Sequence, residues 1–142
     1  MGVIVYLVRH ARAGHRSEWD GDDLHRPLDE RGRQQAELLV GQLEGRELGR
    51  LVSSPYVRCV DTLVPLAEAR GLEVELDDAL AEGAGAGPAL ALFRAASSPL
   101  VASIHGDLAH ALVGERTKKG STAVLDVSAD GVEVLERLAP QA

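Results

Sequence analysis

Cysteine is almost absent from this chain of 142 residues, and aromatic residues make up only 3% of it. The single cysteine, Cys59, excludes an internal disulfide and any multi-cysteine metal site. Its apolar neighbours on one helical face predict a structural role as a small buried hydrophobe. No apolar run is long enough to cross a bilayer, and no signal peptide is evident. We therefore expect a cytoplasmic protein with no membrane partner.

Positive charge is also in deficit, because the formal net charge is −7 at pH 7. A nucleic acid polymer is therefore not expected as a partner, since phosphate backbones are bound mainly through excess Lys and Arg. A local basic pocket on an acidic body would attract a small anion instead. The length suits one domain, which we place at residues 1–142 because no repeat or low-complexity linker interrupts the chain.

An apolar run near the start of the chain, residues 3–8, ends abruptly at Arg9 and His10. Continuous Val, Ile and Leu predict a strand that is buried on both faces, as central parallel strands are. Such sheets bind ligands at the carboxyl ends of their strands, where these two side chains would lie. A permanent cation beside an imidazole suits an anion that is open to nucleophilic attack. The alternative is that both residues simply reach solvent at the end of the strand.

Two later segments repeat this arrangement of an apolar stretch followed by Arg or His. Ser54, Arg58 and Thr62 follow one such stretch, and His105 follows another. Three predicted strand ends would therefore each deliver a basic or imidazole side chain to one edge of a sheet. The order and surroundings of these residues resemble the histidine phosphatase superfamily, the phosphoglycerate mutase-like proteins.

Two further sequence segments are similar to segments of the short SixA-type phosphohistidine phosphatases and of the phosphatase halves fused to some bacterial Nudix hydrolases. They lie at residues 25–32 and 119–122, and the resemblance covers nearly the whole chain. It implies an α/β fold, a three-layer α/β/α sandwich with a mostly parallel central sheet. One departure is Ala11, where the superfamily usually has glycine. We expect the added methyl group to be tolerated, although it demands ordinary backbone angles.

The resemblance also implies catalytic roles. His10 would attack phosphorus and form a phosphohistidine, while a backbone carbonyl holds the proton on its other ring nitrogen. Arg9, Arg58 and His105 would bind the phosphoryl oxygens, so that no metal and no cofactor is required. Glu82 aligns with a region where many members carry the carboxylate that protonates the leaving group. The alternative for Glu82 is a solvated loop glutamate.

Several other residues carry weaker expectations. Arg26 matches the Arg of the Arg-Pro-Leu pattern in SixA-type proteins, and either a substrate phosphate contact or a structural salt bridge would explain it. The acidic residues within 18–23 lack calcium-loop spacing and predict a solvated loop. Pro55 is expected in the first turn of the helix that carries Arg58. The glycine-rich run 83–87 predicts flexibility.

Three functions remain open on these residues. The first is a metal-independent phosphatase that uses His10 on a phosphomonoester, a phosphohistidine or a nucleotide. The second is a non-catalytic domain that binds a phosphorylated ligand, and the third is a mutase, which would call for an enclosed site. The expected partner is a phosphorylated small molecule or a phosphohistidine protein, and the chain itself is expected to be a monomer or a weak dimer.

Overall fold

Strands from both ends of the chain form one mixed sheet. The computed structural model describes residues 2–140. The strands in that range are β1 (Val3–Arg9), β2 (Arg50–Ser53), β3 (Val74–Leu76), β4 (Leu100–Ile104), β5 (Thr122–Ser128) and β6 (Gly131–Leu138). The helices are α1 (Glu30–Gln42), α2 (Val57–Arg70), α3 (Ala86–Ala95) and α4 (Gly106–Val113). The spatial order is β3-β2-β4-β1-β5-β6, in which the first four strands are parallel and β5 runs antiparallel to both of its neighbours.

β1 lies at the centre of this sheet and is covered on both sides. Val5 and Leu7 point to one face and join a core built with α3 and α4. Tyr6 and Val8 point to the other face and join a core built with α1 and α2. Because alternate residues of a strand point to opposite faces, an apolar run of this kind needs both layers of helices. The expected three-layer α/β/α fold with a mostly parallel sheet is confirmed.

The first two helices have clear stop and start signals. Asp29 caps α1, since its carboxylate accepts a hydrogen bond of 2.7 Å from the N–H of Gly32. Gly71 ends α2 in the left-handed conformation, with a φ of 65°, which a residue with a side chain rarely adopts.

The predicted start of α2 was wrong. Pro55 lies before the helix, which begins at Val57, because Tyr56 keeps an extended backbone. The N–H of Tyr56 donates to the hydroxyl of Ser54, a local bond that turns the chain before the helix can start. Arg58 still lies in the first turn of α2, as expected.

The glycine-rich run is only partly a loop. Gly83 and Gly85 have positive φ values of 82° and 87°, but α3 already begins at Ala86 and includes Gly87. The expectation of flexibility was wrong for these last two residues, because α3 is held down by buried Ala89 and Phe93. Among residues 2–140, no helix combines the length and the apolar character that crossing a bilayer requires.

Candidate active site

The ends of β1 and β4 bring two imidazoles together. Arg9 is paired with Ile104 across the parallel ladder, and the next N–H, that of His10, donates to the Ile104 carbonyl at 3.0 Å. The residues that follow the two strands are therefore neighbours. The ring centroids of His10 and His105 are 5.6 Å apart.

His10 is held in one tautomer. Its Nδ1 lies 2.8 Å from the carbonyl oxygen of Ala11, which can only accept, so Nδ1 carries the proton. The other nitrogen, Nε2, accepts from Nε of Arg58 at 3.4 Å. Burial is the main cause that lowers the pKa of His10 from 6.5 to about 3. The hydrogen bond to the Ala11 carbonyl raises this pKa, and the charges of Arg58 and Arg9 lower it further. A neutral imidazole with a lone pair on Nε2 can act as a nucleophile.

Thr62 links the nucleophile candidate to α2. Its hydroxyl donates to the Arg58 carbonyl at 2.7 Å and accepts from the N–H of Ala11 at 2.9 Å. The spacing of four residues between Arg58 and Thr62 is that of one helical turn, which makes the first of these bonds possible. Ala11 is fully buried in this contact.

Arg58 is a buried cation with acidic partners. Its guanidinium pairs with Asp23 at 3.1 Å and lies 3.6 Å from Glu82, and it stacks over the ring of Tyr56 at 4.9 Å. The expectation that Asp23 belongs to a solvated loop was wrong, because it also pairs with Arg16 and Arg26. The ion pairs of Asp23 with exposed Arg16 and with buried Arg26 and Arg58 hold this loop against α2.

His105 presents its Nδ1 without a hydrogen-bond partner in residues 2–140. Its Nε2 lies 2.8 Å from the hydroxyl of Ser54 and 3.6 Å from the thiol of Cys59. Both of these groups have a proton to donate, so we assign the ring proton to Nδ1, which can then donate to an oxyanion. Burial, followed by the charge of Arg58, lowers the pKa of His105 to about 4.

The surroundings of Cys59 disfavour a reactive thiol. It is fully buried, and burial raises the pKa of its thiol to about 12. A thiol in that state is a poor nucleophile. The structural role expected for Cys59 fits this environment.

Glu82 lies close to Arg58 and His105 at the edge of the site. Both oxygens of its carboxylate accept from Nη2 of Arg16, each at 3.0 Å. One oxygen also lies 3.9 Å from Nδ1 of His105. Glu82 therefore takes part in the ion pairs of this site, and it is not a loop residue surrounded only by water.

Arg26 is occupied by protein groups. Its Nε donates to Asp23 at 2.8 Å, and its Nη1 donates to the carbonyls of Ala13 and Gly14 at 3.0 and 3.2 Å. Of the two explanations that the sequence allowed, the structure contains the salt bridge. The side chain is buried but still lines the cavity described next.

A cavity of about 750 Å³ opens at this edge of the sheet. Arg9, His10 and Arg58 line it, and so does Gly106, the residue that follows His105. The cavity is large enough for a small phosphorylated ligand. Its wall also contains residues that the sequence analysis did not select: His15, Arg16, Asp107, His110, Arg116, Thr117 and Lys119.

His110, which lies in α4, is exposed and lines the cavity. Arg116 could not be selected, because no motif separates it from other surface cations, and Lys119 lies in the segment 119–122 that carries the resemblance but was given no site role. Arg9, His10, Arg58 and His105 do lie in one neighbourhood, and their catalytic roles remain predictions.

Comparison with protein families shows the family to which the chain belongs. Residues 5–124 match the family model of the histidine phosphatase superfamily (branch 1). The chain belongs to the histidine phosphatase superfamily. The strand ends and cavity described above are thus those of a histidine phosphatase superfamily member.

Two named relatives of this superfamily member match part of its sequence. It is 52% identical over 64 residues to a protein from Mycolicibacterium smegmatis named 8-oxo-(d)GTP phosphatase, a match to 45% of this chain and 20% of that protein. It is 38% identical over 85 residues to phosphoserine phosphatase 1 from Hydrogenobacter thermophilus, a match to 56% of this chain and 38% of that protein. The chain therefore spans less than half the length of either relative.

Solved structures share the whole fold. A protein from Agrobacterium tumefaciens assigned as the phosphohistidine phosphatase SixA is 25% identical, with a TM-score of 0.78 and 99% of each chain covered. The protein histidine phosphatase SixA complexed with tungstate is 23% identical, with a TM-score of 0.81 and 97% of each chain covered. The expected similarity to the short SixA-type branch is confirmed.

Proposed function

We propose that this superfamily member is a phosphatase that hydrolyses a phosphomonoester or a phosphohistidine through a phosphohistidine intermediate on His10. The observation that carries the proposal is the state of the His10 imidazole. The Ala11 carbonyl holds its Nδ1 proton at 2.8 Å, and burial keeps the ring neutral. Its Nε2 lone pair is thus available beside the guanidinium of Arg58.

In the first step, Nε2 of His10 attacks phosphorus. The bond from phosphorus to the leaving oxygen breaks, and its electron pair departs with that oxygen. Arg9, Arg58 and the Nδ1–H of His105 stabilise the charge on the three remaining phosphoryl oxygens. In the second step, water attacks the phosphohistidine, the P–N bond breaks with its electrons returning to Nε2, and inorganic phosphate leaves.

Glu82 is our proposed proton carrier for both steps. Its carboxylate lies near His105 and Arg58 at the open side of the site, where a leaving group would depart. Protonated Glu82 would give its proton to the leaving oxygen, and the carboxylate would then take a proton from the attacking water. The ion pair with Arg16 must open for this purpose.

Hydrolysis of p-nitrophenyl phosphate tests the proposal. A His10→Asn variant keeps a side-chain N–H that can donate to the Ala11 carbonyl but removes the nucleophile, and we expect kcat to fall by about 1000-fold or more. His110→Asn is the matched control, because it removes an exposed imidazole from the same cavity. A His10→Asn variant as fast as the wild type would exclude the enzyme mechanism.

The trapped intermediate gives a second measurement. Rapid quenching in base during turnover should retain phosphate on the wild-type chain, since phosphohistidine survives base, and the His10→Asn chain should carry none. Phosphate release that outpaces transfer to an added alcohol would separate a phosphatase from a mutase. Binding of phosphate without any turnover would instead favour the non-catalytic domain.

A nucleotide is the second candidate substrate. It is favoured by the 52% identity, over 64 residues, to a protein named 8-oxo-(d)GTP phosphatase. The whole-chain similarity to SixA proteins favours phosphohistidine, and tungstate, which SixA binds, is a tetrahedral oxyanion like phosphate. Parallel rates with a phosphohistidine protein and with nucleoside mono-, di- and triphosphates would rank the two candidates.

A further inference from the structure

The cations of the cavity fall into two groups. Six of the lining residues are Arg or Lys, whereas only two are acidic. The first group consists of Arg16, Arg26 and Arg58, each of which forms an ion pair with Asp23 or Glu82. Their charge is largely balanced before any ligand enters.

The second group, which we call the unpaired cations, consists of Arg9, Arg116 and Lys119. None of the three forms an ion pair with a carboxylate within residues 2–140, and all three line the cavity. The acidic residue Asp107 lines the same cavity but accepts a hydrogen bond from the N–H of Gly83 instead. One side of the cavity therefore carries excess positive charge on a chain whose net charge is −7.

The loop that carries Arg116 and Lys119 is fixed to the end of β1. The N–H of Gly120 donates to the carbonyls of Arg9 and His10 at 3.0 and 3.1 Å, and the guanidinium of Arg9 donates to the Thr117 carbonyl. Gly120 has a φ of 83°, so this turn favours glycine. The unpaired cations are thus held beside the nucleophile candidate.

These cations also act on one another. Burial and then the charge of Arg116 lower the pKa of Arg9, and burial and then the charge of Arg9 lower the pKa of Lys119. Mutual repulsion of this kind disfavours the empty site. It is relieved when an anion binds between the charges.

We propose that two of the unpaired cations, Arg116 and Lys119, bind a second phosphate group linked to the one that is transferred to His10, while Arg9 contacts the transferred phosphate. This inference rests on the proposed attack by His10 and favours the second candidate substrate, a nucleotide: the preferred substrate is a small molecule with a terminal phosphoanhydride, such as a nucleoside diphosphate. A phosphomonoester brings one phosphate, which Arg58, His105 and Arg9 can hold. Arg116 and Lys119 would then have no anion to contact.

Cleavage of the anhydride bond in such a substrate does not require a proton donor. Nε2 of His10 attacks the terminal phosphorus, and the bond to the bridging oxygen breaks. The electron pair stays on the bridging oxygen, which becomes part of the departing phosphate. Because a phosphate is a stable anion and Arg116 and Lys119 neutralise it, protonation by Glu82 matters less than it does for an alcohol.

Calorimetric titration with inorganic phosphate and inorganic pyrophosphate tests the second site without any need for turnover. We expect pyrophosphate to bind the wild-type chain at least about tenfold more tightly than phosphate, because it reaches both groups of cations. Arg116→Gln and Lys119→Gln should each weaken pyrophosphate binding by about fivefold, and together by about 20-fold. Phosphate binding should change less than about twofold in these variants.

Lys118→Gln is the matched control, since Lys118 is an exposed cation of the same loop that does not line this cavity. Equal affinities for the two anions, or an equal loss in the control, would overturn the proposal. Preference for a phosphohistidine peptide with acidic neighbours over pyrophosphate would also overturn it and favour a protein substrate.

Failure of the proposed function would look different. His10→Asn should keep the preference for pyrophosphate while losing hydrolysis, so the two results are independent. If the wild-type chain binds pyrophosphate preferentially but hydrolyses nothing, the second phosphate site stands and the proposed phosphatase activity does not.

Discussion

Acid should destabilise this chain in a way that depends on His10. Burial holds the pKa of His10 at about 3 and that of His105 at about 4 in the folded chain, below the ordinary value of 6.5. The unfolded chain therefore takes up protons more readily than the folded one as the pH falls below 6.5. Stability is fully present above that pH and is lost progressively towards the folded-state pKa values.

The size of the effect follows from the shifts. About pH 5 lies roughly 1.5 units below the ordinary pKa of histidine, and each unit corresponds to about 1.4 kcal/mol, so each buried imidazole lowers the free energy of unfolding by about 2 kcal/mol. We expect a fall of about 4 kcal/mol for the wild type between about pH 7.5 and pH 5, and of about 2 kcal/mol for His10→Asn. Carboxylates titrate mainly below this window.

Urea unfolding followed by circular dichroism at both pH values measures the difference. His110→Asn is again the control, because its exposed imidazole lies in the same cavity, and we expect it to follow the wild type. If the wild type and His10→Asn lost the same free energy between the two pH values, His10 would not be buried in its neutral form. The proposal that His10 acts as a neutral nucleophile would then fail as well.

Three further substitutions test the supports of the site. Thr62→Val leaves a buried backbone N–H without a partner and should lower the free energy of unfolding by about 1–3 kcal/mol in urea, whereas Thr62→Ser should not. Gly106→Ala places a methyl group 2.8 Å from the Arg9 guanidinium, so kcat/KM should fall by about tenfold while the urea midpoint stays nearly constant. Ser54→Ala frees Nε2 of His105 to take the ring proton, and kcat for p-nitrophenyl phosphate should fall by about tenfold; an unchanged kcat would contradict the assigned tautomer.

The sequence predicted the structure best where a local pattern of residues is enough to fix their position in the fold. An unbroken apolar run must be buried on both faces, so β1 and the residues after it could be placed at the edge of a parallel sheet. The spacing of Arg58 and Thr62 likewise corresponds to one helical turn, and the structure contains the hydrogen bond that this spacing allows. These features depend on a few neighbouring residues.

Loop contacts were not predictable in the same way. Asp23 pairs with Arg16, Arg26 and Arg58, and the Arg58 pair joins residues 35 positions apart along the chain. Nothing in the composition of an acidic loop distinguishes such a residue from its solvated neighbours. The start of α2 was missed for a related reason, since the N–H of Tyr56 donates to the hydroxyl of Ser54 and the helix begins only after this bond, two residues past the proline.

The reversed direction of β5 has a consequence for how such a protein can change over time. Because β5 is antiparallel to β1, its first residue, and not its last, lies at the edge that holds His10. The segment leading into it therefore reaches the cavity from the opposite half of the sheet to Arg58. Because Thr117 and Gly120 also bond to Arg9 and His10, exchanges in residues 114–121 are expected to alter both ligand recognition and the proposed phosphoryl transfer. One substitution in this segment could therefore change the preferred ligand and the reaction rate together.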